Sequence, residues 1–156
     1  RYSTSANFFR RGDRETKMNT SVHQEVLFAN EAFYLAFANN DFDAMDNLWS
    51  REFDVLCTHP GWTALSGRDV VIESWRAILA NDKEAEVECW NPVAHVYEGF
   101  ALITCHELID GNALSVTNAF VRENGRWCMV HHHAGPMATP PPRPSDQNPT
   151  KSGSLH

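Results

Sequence analysis

Apolar side chains recur at Val22, Val26, Ala29, Phe33 and Phe37. Steps of three and four residues predict a helix with one buried face. Ser21-Val22-His23-Gln24 reads as a capping box that starts it, and Asn39-Asn40 breaks it. Asp41 is placed to cap a short second helix that turns Phe42, Met45, Leu48 and Trp49 to one side. From Phe53 to His59 the period changes to two. Phe53, Val55, Cys57 and His59 then share one face of a strand, which Pro60-Gly61 ends. Ser66-Gly67-Arg68-Asp69 reads as a second capping box. It opens a third helix with Val71, Trp75, Ile78 and Leu79 inward, closed by Asn81-Asp82.

The remaining pattern is strands. Glu86–Tyr97 is long and holds Asn91-Pro92, and proline cannot serve a central ladder, so a bulge or bend is expected there. Glu98-Gly99, Asp110-Gly111 and Asn124-Gly125 then separate Phe100–Ile109, Asn112–Arg122 and Arg126–His133. Asp-Gly and Asn-Gly between alternating segments are strong hairpin signals, so three turns in series predict a four-stranded antiparallel meander. The order is helix, helix, strand, helix, four strands. This is an α+β class in which helices must cover one face of a curved sheet.

Composition changes this picture at the ends. Residues 1–17 carry Arg1, Arg10, Arg11, Arg14 and Lys17 against Asp13 and Glu15, and residues 135–156 hold six of the eight prolines. A basic, serine-containing start is similar to a transit peptide, but its acids and its lack of a helical stripe favour a disordered leader over residues 1–20. Pro140-Pro141-Pro142-Arg143-Pro144 reads as polyproline II or disorder within a tail over 137–156. Residues 21–136 then form the domain, roughly 115–120 residues, enough for a sizeable core. Residues 18–142 hold 6 basic and 17 acidic side chains, a charge of −11. So acidic a domain repels phosphate backbones, which argues against a nucleic-acid partner. No apolar run approaches the ~20 residues of a spanning helix, and nothing calls for a membrane partner. Cys57, Cys89, Cys105 and Cys128 all fall in predicted strands without a Cys-x-x-Cys pair. They read as buried reduced thiols of a reducing compartment, the cytoplasm.

Four features could carry chemistry. His59 sits at a strand-to-loop junction beside Trp62, where a general base is well placed, or where a histidine packs on the indole. In His131-His132-His133 the outer two point one way and the middle one the other. A metal site there would need Cys57 or His59 as a further ligand. With no His-Glu-x-x-His or Cys-x-x-Cys motif, no metal and no cofactor are expected. Asn118 shares the apolar face of Val116 and Phe120, so it must bond either a ligand or its neighbours. Phe33, Phe37, Trp62 and Trp75, with His133, are candidate ligand-binding residues of an apolar pocket. Trp49, Trp90 and Trp127 could line it as well, while most of these aromatics, Trp62 in its loop excepted, read as core. His106 and Glu107 adjoin on a strand and so face opposite sides. There is no Gly-x-Ser-x-Gly and no phosphate loop.

These motifs together are similar to a known family. The run Ala29–Trp49, the strand with Thr58-His59-Pro60-Gly61-Trp62, the start Ser66-Gly67-Arg68 and the ending Gly125-Arg126-Trp127 to His131-His132-His133 resemble the SnoaL-like branch of the nuclear-transport-factor-2-like superfamily. The ending through Ala134-Gly135-Pro136 also resembles the calcium/calmodulin-dependent kinase II association domain. The resemblance implies a cone, a curved sheet wrapped around a long helix with an apolar cavity open at one end. Enzymes of that superfamily include ketosteroid isomerases, polyketide cyclases, dehydratases and epoxide hydrolases, while other members bind or assemble. Against the isomerases, His59 or Cys57 falls near the carboxylate base and Asn118 at the oxyanion-stabilising acid. Phe33 stands where a tyrosine is expected, with Tyr34 one residue away. Two functions follow as expectations. One is a small-molecule-binding domain with isomerase, cyclase or lyase chemistry on an apolar carbonyl compound, His59 acting as base and Asn118 as donor. The other is a non-catalytic dimerisation or assembly module. A sheet face left uncovered by helices implies a homodimer in both.

Overall fold

The computed structural model describes residues 8–80 and 86–144, with side chains from Ser21 onward. The elements are α1 (Phe8–Ala38), α2 (Phe42–Leu48), β1 (Leu56–Thr58), β2 (Leu65–Ser66), α3 (Arg68–Leu79), β3 (Val87–Tyr97), β4 (Phe100–Ile109), β5 (Asn112–Glu123) and β6 (Arg126–Pro136). The α+β class and the strand meander stand as the hydrophobic pattern predicts. The expected closure of α3 at Asn81-Asp82 lies outside the described residues.

Helix α1 buries Val26, Asn30, Phe33, Tyr34, Ala36 and Phe37. It ends where Asn40 takes φ 52°. There the Asp41 N–H donates to the Ala36 carbonyl and the Asn40 N–H to the Phe37 carbonyl. This pair of bonds satisfies the last free carbonyls and stops the helix. At its other end the sequence reading is corrected. The backbone is helical from Phe8, so Ser21 lies inside α1 and caps nothing. A short polar stretch is compatible with helix once an amphipathic segment downstream anchors it, and a capping-box pattern does not by itself force a start. Asp41 does cap α2, its Oδ1 accepting from the Ala44 N–H at 2.9 Å.

The second predicted box is not made either. Gly67 occupies the cap of α3 with φ 95°, and no side chain bonds the first turn. A conformation open to glycine takes the place of the serine hydroxyl. Ser66 instead belongs to β2, a two-residue strand the pattern did not show, paired antiparallel with β1. Phe53 is also corrected. It precedes the strand and is half-exposed, whereas Val55, Cys57 and His59 are buried.

The six strands run β2-β1-β6-β5-β4-β3. The meander β3 to β6 is antiparallel, but β1 joins β6 in parallel, with Cys57 opposite His132. The sheet is therefore mixed rather than wholly antiparallel. Its Asp110-Gly111 and Asn124-Gly125 turns have positive φ at both central residues, the geometry that matches strand twist. The ladder between β3 and β4 is interrupted between Trp90 and Val93. That places the expected bulge at Asn91-Pro92, with Asn91 at φ 51°. The core lies between the concave sheet face and the helices. It centres on Phe33, Phe37, Met45, Trp49, Trp75, Ile103 and Phe120.

Candidate functional site

Two groups of buried polar side chains face this core. The first lies under β1 and α3. His59 ends β1, and its Nε2 is 2.8 Å from Ser74 Oγ. Ser74 Oγ itself donates to the Val71 carbonyl at 2.6 Å, so the hydroxyl must accept, and Nε2 carries the imidazole proton. Trp62 and Trp75 pack edge-on against the ring at 4.9 and 4.8 Å. Burial holds the His59 pKa down, to about 4. Next to it, His132 is lowered to about 3, by burial first and then by His59 and its strand neighbours.

The second group lies between α1 and β4–β5. Glu107 is fully buried. Tyr34 on α1 donates to its Oε1 at 2.6 Å, while Oε2 is buried without a partner. Burial raises the Glu107 pKa to about 7, and the tyrosine bond offsets part of the rise. The Tyr34 oxygen also lies 3.3 Å from Cys105 Sγ. Asn118 Nδ2 donates to Asn30 Oδ1 at 2.8 Å and more distantly to the Tyr34 oxygen. Its Oδ1 is 2.7 Å from His132 Nδ1. An amide oxygen only accepts, so His132 holds its proton on Nδ1. A continuous polar chain thus runs Glu107, Tyr34, Asn118, His132 through an apolar core.

These contacts decide where each expected site residue stands. His59 and Asn118 are both interior, but Asn118 approaches His59 only by way of His132, whose ring centroid is 6.4 Å from that of His59. Both amide donors of Asn118 serve protein partners. The volume expected to be a cavity is filled: Phe33 packs on Trp75 at 5.3 Å, Phe37 on Trp75 at 5.2 Å and Phe33 on His132 at 5.0 Å. Phe33, Phe37 and Trp75 are buried core. Trp62 is half-exposed and covers His59 rather than a pocket mouth. It borders a shallow groove of about 490 Å³ along α3 with Leu65, Val70 and Ser74. His133 is exposed and faces away from the interior that His132 occupies. His131 and His133 therefore cannot join Cys57 or His59 around one ion, and among the described residues no group of three potential ligands is gathered for a metal.

The open space lies elsewhere. A cleft of about 400 Å³ runs between α1 and β3, lined by Leu27, Asn30, Tyr34, Leu35, Cys89 and Pro92 among others. Its lining includes Tyr34, a member of the polar chain, and Asn30, which accepts from Asn118 of that chain, both otherwise buried. Sequence reasoning reached Tyr34 only as the neighbour of Phe33, one residue from where a tyrosine is expected, and did not name Asn30, although the two are four apart on the buried side of α1. It also passed over Glu107. The strand alternation that places Ile103 and Cys105 inward places Glu107 inward too, which marks a buried acid.

Among the described residues no helix is long and apolar enough to cross a membrane. A family model described as a SnoaL-like domain matches residues 26–139. Over 114 residues the chain is 28% identical to F-box protein SKIP8 of Arabidopsis thaliana, covering 72% of this chain and 49% of that protein. It thus spans about half the length of that curated relative. Among solved structures, a candidate dehydratase of the NTF2-like family from Streptomyces avermitilis superposes with TM-score 0.71 at 31% identity, covering 78% of this chain and 99% of that one. A candidate calcium/calmodulin-dependent protein kinase type II association domain from Thiobacillus denitrificans gives TM-score 0.62 at 30% identity, covering 70% and 92%. With the family model spanning most of its core and these relatives sharing its layout, the chain belongs to the SnoaL-like domain family, within the cone-shaped NTF2-like fold.

Proposed function

We propose that this SnoaL-like domain binds a small, largely apolar molecule with one oxygen-bearing group, and that it does so in the cleft between α1 and β3. One observation carries the reading. The cleft reaches Asn30 and Tyr34, and Tyr34 holds a buried acid, Glu107, that has one oxygen without a partner. Apolar walls with a few convergent polar groups and a perturbed acid are the usual form of a ligand site. A carbonyl or hydroxyl ligand fits it, with Asn30 as the reachable amide. The geometry favours this cleft over a His59 base with an Asn118 donor, because the first has lost its open space and the second its free donors.

The test is a thermal-shift screen of small apolar carbonyl compounds and alcohols on the wild type, Asn30→Ala, Tyr34→Phe and His59→Ala. A compound of this class should stabilise the wild type and His59→Ala alike and lose most of its shift with Asn30→Ala or Tyr34→Phe. Loss of the shift with His59→Ala alone would return the site to β1.

A second reading, non-catalytic assembly, has its own support. Leu56, Val93 and Tyr97 stand about half-exposed on the convex sheet face, which no described helix covers. We place the homodimer contact there, tested by the mass of Val93→Asp against wild type in light scattering. The four free cysteines fit a reducing compartment such as the cytoplasm.

A further inference from the structure

The ligand reading leaves one feature of the cleft unused. Of the four cysteines, Cys57, Cys105 and Cys128 are buried, while Cys89 is only half-buried and lines the cleft. Cys89 stands directly opposite Glu107 in the β3–β4 ladder. Cys105, two residues before Glu107 on β4, therefore points to the same side and lies diagonally across from Cys89. Tyr34 touches Cys105 Sγ at 3.3 Å, and Asn30 Nδ2 lies 3.9 Å from Cys89 Sγ. An accessible thiol, a buried thiol and a buried acid linked by a tyrosine thus occupy one small volume.

We propose that Cys89 and Cys105 form a hydroperoxide-responsive thiol pair, in which Cys89 is the oxidised sulfur and Cys105 resolves it to an intramolecular disulfide. The pairing of roles follows from access. Peroxide entering the cleft meets Cys89 and not Cys105. The neighbouring Cys105 thiol first, and the Asn30 amide 3.9 Å away after it, hold the Cys89 thiol below its ordinary range against burial and the Glu107 charge. A thiol favoured as thiolate, reachable and next to a second thiol, is the arrangement that oxidation selects.

In the first step the Cys89 thiolate attacks one peroxide oxygen and the O–O bond breaks. Cys89 becomes a sulfenic acid, and hydroxide leaves and is protonated to water. In the second step Cys105 sulfur attacks Cys89 sulfur, the S–O bond breaks, and the departing hydroxide takes a proton from solvent to form a second water, the Cys105 proton being returned to solvent from Glu107. Two thiols and one hydrogen peroxide give one disulfide and two waters. The neighbouring Cys89 sulfur first, and burial after it, hold the Cys105 thiol protonated, so its proton must be removed. Tyr34 accepts it at 3.3 Å and passes its own proton to Glu107 Oε1 at 2.6 Å. Glu107 is a positioning residue for this step, acting through Tyr34. Diagonal partners stand about 7–8 Å apart at Cα, beyond the usual disulfide span of about 4.4–6.8 Å. Closure must therefore draw β3 toward β4. The ladder is already interrupted at Asn91-Pro92, directly beside the pair, which lets the strand move there.

The pair stands independently of any ligand, and so does its test. The fully reduced chain is treated with hydrogen peroxide, quenched, alkylated in denaturant and read by peptide mass spectrometry. The wild type should yield a Cys89–Cys105 cross-linked peptide within one molecule. Cys105→Ser should stop at Cys89 sulfenic acid, trapped by dimedone. Glu107→Gln, which removes a charge that opposes the Cys89 thiolate, should form that sulfenic acid no more slowly than wild type but resolve it on the order of tenfold more slowly, raising dimedone capture. Four alkylatable thiols after peroxide, or a cross-link joining any other pair, would overturn the proposal. Equal resolution in Glu107→Gln would remove the Tyr34–Glu107 relay from it.

Discussion

The two buried polar groups of this domain are made of similar parts and have opposite boundary conditions. Under β1 and α3, His59 is roofed by Trp62, walled by Trp75 and bonded to Ser74, and the buried polar atom left without a partner there is an indole N–H, Trp75 Nε1, not an acid. Between α1 and β4, Tyr34 and Glu107 are as deeply buried, yet one carboxylate oxygen lacks a partner and a cleft opens alongside. A buried polar group that is fully bonded contributes specificity to a core, whereas one that is half-bonded and adjoins open space is a place where chemistry can occur. Residue type alone does not separate these cases. Histidine is a common base and glutamate a common surface residue, and here their roles by location are reversed.

The largest expected effect comes from breaking the closed side. Trp75 touches Phe33, Phe37, His59 and His132 at once. Trp75→Ala should cost about 3–5 kcal/mol in denaturant unfolding, the usual range for removing a large core aromatic. It should also let the His59 pKa climb from about 4 toward the ordinary 6.5 as water enters. A loss below about 1 kcal/mol would mean that this side is not closed and that His59 has room to act.

What could be read from the chain follows the same division. The pattern of apolar positions carried the helices, the meander and the bulge at Asn91-Pro92, because each depends on residues close in sequence. Positions such as Asp110-Gly111 specify backbone geometry wherever they occur. The site was legible only in part. Asn118 was recognisable as a buried amide from its strand parity, but its partners Asn30 and His132 are 88 and 14 residues away. Tyr34 lies one position from Phe33, and a helix turns by about 100° per residue. Only the packing of α1 on the sheet shows that both face inward, one to the aromatics and one to Glu107. The caps misled for a related reason: a hydroxyl at the right spacing permits a helix start, and the tertiary context of α1 and α3 did not use it.

A smaller effect distinguishes the two sides by the sign of their pH response. His59 and His132 have folded pKa values lowered to about 4 and about 3. Their contribution is complete above the unfolded value near 6.5 and is lost as pH falls toward 4, because the unfolded chain takes up protons first. Glu107 is shifted up, to about 7. Its contribution is complete below the unfolded value near 4.5 and is lost as pH rises through about 7. Glu107→Gln should therefore gain on wild type between pH 4.5 and 7.5, by about 3 kcal/mol at roughly 1.4 kcal/mol per pKa unit. Its stability should climb more steeply with pH than that of wild type. Parallel curves for the two proteins across that window would show that Glu107 stays ionised in the fold, and the contrast between the sides would fail.

The smallest effect is also the sharpest comparison, since it removes one hydroxyl from each side. Ser74→Ala leaves the His59 Nε2 proton without its acceptor, while Tyr34→Phe leaves Glu107 with neither oxygen bonded. Leaving one buried polar group unbonded costs about 1–3 kcal/mol, and more where the group is charged. Near pH 5, where Glu107 is protonated in the fold, both variants should lie at the low end of that range and differ little. Near pH 8 the carboxyl is ionised, and Tyr34→Phe should become the more costly by about 1 kcal/mol or more, while Ser74→Ala should hardly change because His59 is neutral at both values. The measurement is denaturant unfolding of both variants at the two pH values, with wild type alongside. A Ser74→Ala penalty that grows with pH in step with Tyr34→Phe would mean that the two polar groups respond as one network through His132, rather than as a closed side and an open one.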